Sequence, residues 1–396
     1  MTPRPTLKNK FIAERIYKVK PSGIRRFFGI AAKMPDVISL GIGEPDFTTP
    51  QPIFQAGFDS VMRGVTNYTA NSGLLELRER LAEHLEQLYG VAYRAEGEMM
   101  ITVGVSEALR CVFGAICNPG DEIIVPTPCF VAYEPEILFA DGVPVTVTCR
   151  AENNFEITAQ EIEPLITERT KAIFLGYPNN PTGAVLEREE LEAIARVADR
   201  HDLLVYTDEI YDRLVYGDHQ HTAFSSLPGM RERTILLGGF SKSYAMTGWR
   251  IGYVAAPSGL MTGIAKVHQY GIMCAPTSAQ FAAIEALKNG EPHLQAMRAE
   301  YDRRRRYITD RFNAIGMSCF EPMGAFYCFP HVTECTGLDE TTFAEKLLEE
   351  ERVGVVPGTA FGPSGAGHVR VCYATAYEQI VEAMDRIERF ALRHRA

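Results

Sequence analysis

The chain has 396 residues, 46% of them hydrophobic and 23% charged, a balance that excludes wholesale disorder and allows two or three domains of roughly 100–200 residues. Its 40 Lys and Arg against 50 Asp and Glu leave a formal charge of −10, so no net positive field would hold it on nucleic acid or an anionic membrane. The nine cysteines are scattered with no CxxC spacing, which predicts reduced thiols and a cytoplasmic protein.

The N-terminal stretch carries Lys8, Lys10, Glu14, Arg15, Lys18 and Lys20, which interrupt any apolar leader. Apolar periodicity predicts a helix over Leu74–Tyr89, ended by Gly90. β-rich apolar runs follow at Met100–Val103, Glu122–Val125, Val143–Val147, Lys171–Gly176, Leu203–Thr207, Thr234–Gly238 and Ile251–Ala255. Helical patterns over Ser106–Cys117, Val131–Ala140 and Glu187–His201 lie between several of them. Continuous apolar strands alternating with helices predict an α/β fold with a mainly parallel sheet covered on both faces. His219 and His221 lack further ligands at metal-binding spacing, so no metal is expected. The uncharged run Val267–Ile284 contains His268, Gln269 and Pro276, and makes a poor membrane span.

Beyond about Ala279 the pattern changes. A charged helix over Glu291–Ile315 precedes β-rich Gly324–Pro330, a helix over Thr341–Arg352, β-rich Val369–Tyr373 and a last helix over Ala376–Arg393. That order predicts a smaller α+β unit. Arg303-Arg304-Arg305-Arg306, within the first of these helices, reads as a solvated face.

Nucleotide fingerprints are absent: Gly41-Ile42-Gly43 lacks a third glycine, and there is no GxxxxGK[ST] loop. Four segments carry chemistry together. In Gly239-Phe240-Ser241-Lys242-Ser243-Tyr244-Ala245-Met246-Thr247-Gly248-Trp249-Arg250 a lysine sits among small residues, with an arginine eight positions on. An amine that attacks a carbonyl needs that room, and an arginine suits a phosphate as a fork of donors. Thr207-Asp208-Glu209-Ile210-Tyr211 follows an apolar strand, where open parallel sheets present ligands. Tyr177-Pro178-Asn179-Asn180-Pro181-Thr182-Gly183 reads as a turn that leaves Asn180 able to donate to a ligand. Val103-Gly104-Val105-Ser106 enters a helix, whose N-terminal N–H groups can cradle a phosphate.

These segments together resemble the fold-type-I pyridoxal-phosphate (PLP) enzymes, specifically class I aminotransferases of the aspartate aminotransferase family. The resemblance runs from Ser39-Leu40-Gly41-Ile42-Gly43-Glu44-Pro45 to Val369-Arg370-Val371. Val37–Phe47, Gly73–Arg78, Ile124–Pro128 and Tyr373–Glu378 are similar to the archaeal and bacterial aromatic aminotransferase branch. It implies a large PLP-binding domain over 48–295 and a small domain of 1–47 plus 296–396. It further implies that Lys242 binds pyridoxal 5'-phosphate covalently and, once displaced, carries the proton at substrate Cα. Asp208 would hold the ring nitrogen protonated, Asn180 and Tyr211 would bond the phenolic oxygen, and Phe130 would stack on the ring. Gly104, Val105, Ser106 and Arg250 would take the phosphate, with Tyr68 reaching the phosphate of a neighbouring subunit in a homodimer. Arg370 would fork the substrate α-carboxylate, with Gly43 N–H assisting.

One departure is Gly239, where many family members carry a phosphate-binding serine; Ser241 is close by. The side-chain pocket is expected to draw on Ile24, Ile42, Tyr270, Ile272 and Met273, with no fixed cation, although Ser22 or Arg25 could recognise a dicarboxylate. The reading is therefore an aminotransferase moving an aromatic or broad-range amino group to 2-oxoglutarate. Aspartate is the alternative donor. A C–S lyase or aminocyclopropane-carboxylate synthase would share the same lysine, aspartate and arginine. An effector-sensing regulator on this fold would need a helix-turn-helix domain ahead of it, and the roughly 45 residues before the αβ pattern are too few.

Overall fold

The structure, a computed structural model, describes residues 9–19, 34 and 36–395. Its centre is a seven-stranded sheet: β1 (Met99–Thr102), β2 (Glu122–Thr127), β3 (Val143–Thr148), β4 (Thr170–Leu175), β5 (Leu204–Asp208), β6 (Thr234–Gly239) and β7 (Gly252–Ala255). The spatial order is β1-β7-β6-β5-β4-β2-β3. β7 runs antiparallel to β1 and β6, and every other pairing is parallel. Proline shapes one side. Pro126 has no N–H to give, and β2 pairs with β4 over Glu122–Ile124 but not beyond. Pro144 sits on β3, the edge strand, where a missing donor is tolerated.

Strand residues alternate between two apolar layers, as the period of two demands. Ile123, Val125, Ala172, Phe174 and Tyr206 join one layer, and Ile124, Ile173, Leu175 and Val205 the other. The first layer is closed by Ala108, Leu109 and Val112 of the helix Gly104–Ile116 and by Met261 and Ile264 of the helix Ser258–Gly271. Leu191, Ile194 and Ala198, on one stripe of the helix Arg188–Arg200, cover the second. The helix Leu75–Tyr89 buries Leu77, Leu81 and Leu85 at four-residue spacing and stops at Gly90, whose φ of 70° is the left-handed cap.

The C-terminal part is built on a three-stranded antiparallel sheet, with Val369–Cys372 between Tyr327–Cys328 and Val356–Pro357. Ile38–Ser39 pairs with Val353–Gly354, which ties residues near the N-terminus to this part. The β-rich stretch expected over Gly324–Pro330 contains strand only at Tyr327–Cys328. Ala325 breaks it with a φ of 58°. That turn is held by Ala325 N donating to Leu214 O at 2.9 Å and by Tyr216 Oη donating to Ala325 O at 2.5 Å. The helix Glu291–Ala314 runs through the expected domain boundary at 295/296.

The Arg303–Arg306 cluster corrects the sequence reading of a solvated face. Successive helix positions turn by about 100°, so four in a row cannot share one face. Arg303 and Arg306 point outward, but Arg304 and Arg305 are buried. Arg304 donates to Asp46 Oδ1 and Glu300 Oε1, both at 2.9 Å, and Arg305 pairs with Asp302 and Glu321. A buried cation stripped of solvent is costly to leave half-paired. Asp46→Ala should therefore lower stability by about 3 kcal/mol, whereas Arg303→Ala should cost less than about 0.5 kcal/mol. Urea unfolding of the two variants checks this, and equal effects would refute it.

Candidate active site

The strand ends explain why distant segments meet. β1, β2, β4, β5 and β6 point their carboxyl ends to one edge of the sheet. Ligands bind beyond such an edge in open α/β sheets. Because β7 is antiparallel, its start lies on the same edge, and the β6-to-β7 connection carries both Lys242 and Arg250 there. Asp208 is the last residue of β5. Asn180 follows β4, Phe130 follows β2, and Gly104 opens the helix after β1.

A cavity of about 470 Å³ lies at this edge. It is lined by Lys242, Asp208, Tyr211, Asn180, Phe130, Val105, Ser106, Arg250, Gly43 and Arg370, all expected from the sequence. Gly104 packs just behind: a Cβ on it would lie 2.7 Å from Arg250 Nη2, and its φ is 68°. Only glycine allows this close approach of guanidinium and helix terminus. Arg250 itself has a φ of 53° and donates from Nη1 to Thr247 O at 2.9 Å.

The lysine and the aspartate do not bond to each other. Lys242 Nζ donates to Gly43 O at 2.7 Å. Asp208 accepts from Tyr133 Oη at 2.8 Å and from Ile210 N at 3.2 Å. Burial lowers the Lys242 amine to about 8 and raises the Asp208 carboxyl to about 6, the directions that desolvation of each charged form requires. Burial also pushes the hydroxyls of Tyr133 and Tyr211 far up, so both stay protonated donors. Arg370 donates from Nη1 to Asn180 Oδ1 at 2.9 Å and from Nη2 to Gly41 O at 2.6 Å. Its Nε is buried with no partner among the described residues.

Two tyrosines among the lining residues were missed by the sequence reading. Tyr133 lies three positions after Phe130, a helical spacing that could have flagged it. Tyr327 is brought in by the Ala325 turn, which no residue pattern announces; its hydroxyl lies 2.8 Å from that of Tyr211. Other expected residues lie outside the cavity of this chain. Tyr68 is 80% exposed and Tyr270 87% exposed, and with Ile42, Ile272 and Met273 they do not line the cavity. Ser22, Ile24 and Arg25 lie outside the described residues. At Gly239 a Cβ would stand 3.0 Å from Ile210 Cδ1 and 3.2 Å from Gly252 Cα, so a serine there would have to displace its neighbours. Ser241 does line the cavity. His219 and His221 each face a glutamate, Glu187 and Glu209, at 3.0 and 2.9 Å.

The residues fit PLP. A buried carboxylate held above its usual range suits a cationic ring nitrogen, a buried amine of lowered basicity suits an aldehyde, and an arginine against a helix N-terminus suits a phosphate.

Comparison with known proteins agrees. The family model described as aminotransferase class I and II matches residues 35–387. The chain is 46% identical over 380 residues to an aspartate aminotransferase of Pyrococcus abyssi, covering 96% of this chain and 97% of that one. It is 42% identical over 380 residues to aromatic-amino-acid aminotransferase 2 of Thermococcus litoralis, with 96% and 97% covered. The crystal structure of an aromatic aminotransferase from Pyrococcus horikoshii superposes with a TM-score of 0.88 at 44% identity, covering 93% of this chain and 99% of that one.

The raised Asp208 carboxyl has a measurable consequence in cofactor-free protein. A carboxyl that moves from 3.8 to about 6 on folding destabilises the fold increasingly as pH rises between those values, and fully above the higher one. The cost at pH 8 is roughly 3 kcal/mol. Asp208→Asn should therefore raise the melting temperature of the cofactor-free protein at pH 8, by about 2 °C or more, with a smaller gain at pH 5. A loss of stability at pH 8 would contradict the assignment.

Proposed function

The chain belongs to the class I and II aminotransferases, and from that premise we propose that it transfers the amino group of aromatic L-amino acids to 2-oxoglutarate. Its cofactor is pyridoxal 5'-phosphate, which, when bound, supplies an electron sink for the carbanion formed beside the substrate amino group.

The chain's own residues divide the remaining work. Lys242, with its amine lowered to about 8, is about half uncharged at pH 8, against roughly one part in three hundred for a free lysine. It can accept and return the proton at substrate Cα without first shedding one to water. Asp208 keeps a proton on the ring nitrogen, and Tyr133 orients that carboxylate. Asn180 and Tyr211 donate to the phenolic oxygen, and Phe130 covers a ring face. Gly104, Val105, Ser106 and Arg250 take the phosphate. Arg370 receives the α-carboxylate with Gly43 N–H beside it, and its unpartnered Nε is a donor in reserve.

The donor assignment rests on one observation. Among the described residues, the cations lining the cavity are Lys242, Arg250 and Arg370, and each has a part in the scheme above. None is left for a side-chain carboxylate, and Glu44 on the same wall would repel one. Phe130, Tyr133, Tyr211, Tyr327, Leu109 and Ile210 supply apolar and aromatic area instead. Burying a phenyl group there is worth roughly 2–3 kcal/mol over alanine.

The same reading makes the protein a cytoplasmic homodimer. Among the described residues no helix is long and apolar enough to cross a membrane. Phe58, Met62, Tyr68, Tyr270 and Met273 expose large apolar groups, more than an isolated chain needs. Tyr68, exposed and not part of its own cavity's lining, would then complete the partner's phosphate site.

Rates with phenylalanine, tyrosine, aspartate and alanine, each with 2-oxoglutarate, test the donor and acceptor together. We expect glutamate to form, and kcat/KM for phenylalanine to exceed that for alanine by at least about tenfold. Aspartate outrunning phenylalanine by tenfold would replace the aromatic assignment. Sedimentation as a monomer at micromolar concentration would remove the role given to Tyr68.

A further inference from the structure

At the phosphate end of the cavity, next to Ser106, lies a carboxyl–imidazole pair to which none of the roles above has been given. Glu107 follows Ser106 in the first turn of the helix Gly104–Ile116. Its Oε2 accepts from Val103 N at 2.5 Å. Its Oε1 lies 2.6 Å from Nδ1 of His268, which projects from the helix Ser258–Gly271 and is completely buried. Nε2 of His268 lies 2.8 Å from the carbonyl oxygen of Asn71. Asn71 in turn donates from Nδ2 to Met273 O at 2.6 Å. Cys111 Sγ, 3.6 Å from Glu107 Oε1, completes a cluster of groups able to bind a metal. The ring nitrogens are already engaged, and burial pushes the thiol well above its usual range, so hydrogen bonding describes the cluster better than metal binding.

The placement of Glu107 raises an electrostatic difficulty. A carboxylate in the first helical turn ordinarily gains from the helix dipole. Here the same terminus is the one proposed to receive a phosphate dianion. Two anions at one helix end repel, and the side chain is too buried for water to screen them fully. His268 meets the difficulty. A carbonyl has no hydrogen to give, so Nε2 must carry one. At Nδ1 the facing group is a carboxylate.

We propose that His268 is a positioning residue for cofactor binding: as an imidazolium it neutralises Glu107, so that the helix N-terminus keeps its affinity for the phosphate. Through Asn71 O it also fixes the Asn67–Gly73 segment that carries Tyr68. The inference rests on the phosphate assignment to Gly104–Ser106 and Arg250, and the test separates the two.

The protein, freed of cofactor, is titrated at pH 8 with PLP and with pyridoxal, which lacks the phosphate. Wild type is compared with His268→Gln, Glu107→Gln and the double variant. Glutamine keeps a donor for Asn71 O but no charge. His268→Gln should weaken PLP binding at least tenfold and pyridoxal binding less than threefold. Adding Glu107→Gln should return PLP binding to within threefold of wild type. An unchanged PLP affinity in His268→Gln, an equal loss for both ligands, or a double variant no better than His268→Gln would overturn the inference. Failure of wild type to prefer PLP over pyridoxal would instead remove the phosphate assignment. If His268→Gln does not fold, nitrogen-15 spectra of histidine-labelled wild type decide, with the His268 signal identified by its change in Glu107→Gln. Two protonated ring nitrogens are expected, and a neutral ring overturns the proposal.

Discussion

A buried carboxylate with no cation of its own is the constraint around which this site is arranged. Asp208 ends β5 beneath a cavity, and the fold gives it two donors, Tyr133 Oη and Ile210 N, but, among the described residues, no ion pair. Desolvation then raises its carboxyl to about 6. The nearby Lys242 is likewise kept from pairing, by the carbonyl of Gly43, and is lowered to about 8. Had the two groups met, they would have neutralised each other and left nothing for a ligand. Held apart across a cavity, they retain an unmet demand that a cationic ring nitrogen and an aldehyde satisfy together.

The sheet makes that separation possible. Lys242 and Arg250 lie on one connection because β7 doubles back beside β6. This places both side chains on the cavity lining, with the guanidinium against Gly104. The smaller sheet contributes from the other side: Arg370 on its central strand and Tyr327 on a flanking one both line the cavity. The cavity is therefore walled by two separately built sheets. The helix Glu291–Ala314 helps fix their relation through the Arg304–Asp46 pair, which anchors the segment just after Gly43 and Glu44.

Much of this was legible in the residues. The apolar runs located all seven strands of the central sheet to within a residue or two; six of them are buried along nearly their whole length, whereas the edge strand β3 is largely exposed. Lys242, Asp208, Asn180 and Arg250 stood out in motifs that follow such runs or carry glycines, whereas Arg370 was marked only by the resemblance to the class I aminotransferases. What escaped notice depends on packing between distant segments. Tyr133 and Tyr327 look like core aromatics until the fold turns their hydroxyls toward Asp208 and Tyr211. Arg304 and Arg305 look solvated until Asp46 and Glu321, far away in sequence, arrive beside them. The setting of His268 is a matter of which acceptors surround it, and one of them, Asn71 O, is a backbone atom about 200 positions earlier.

The account stands or falls on Lys242 being the residue that holds the cofactor. Borohydride reduction of the holoenzyme, followed by peptide mapping, tests this directly. We expect the pyridoxyl group on Lys242 and, in the Lys242→Ala protein, no label above background. A label on any other lysine of the wild-type protein would contradict the account, because Lys242 is the only lysine among the described residues that lines the cavity with Asp208, Arg250 and Arg370.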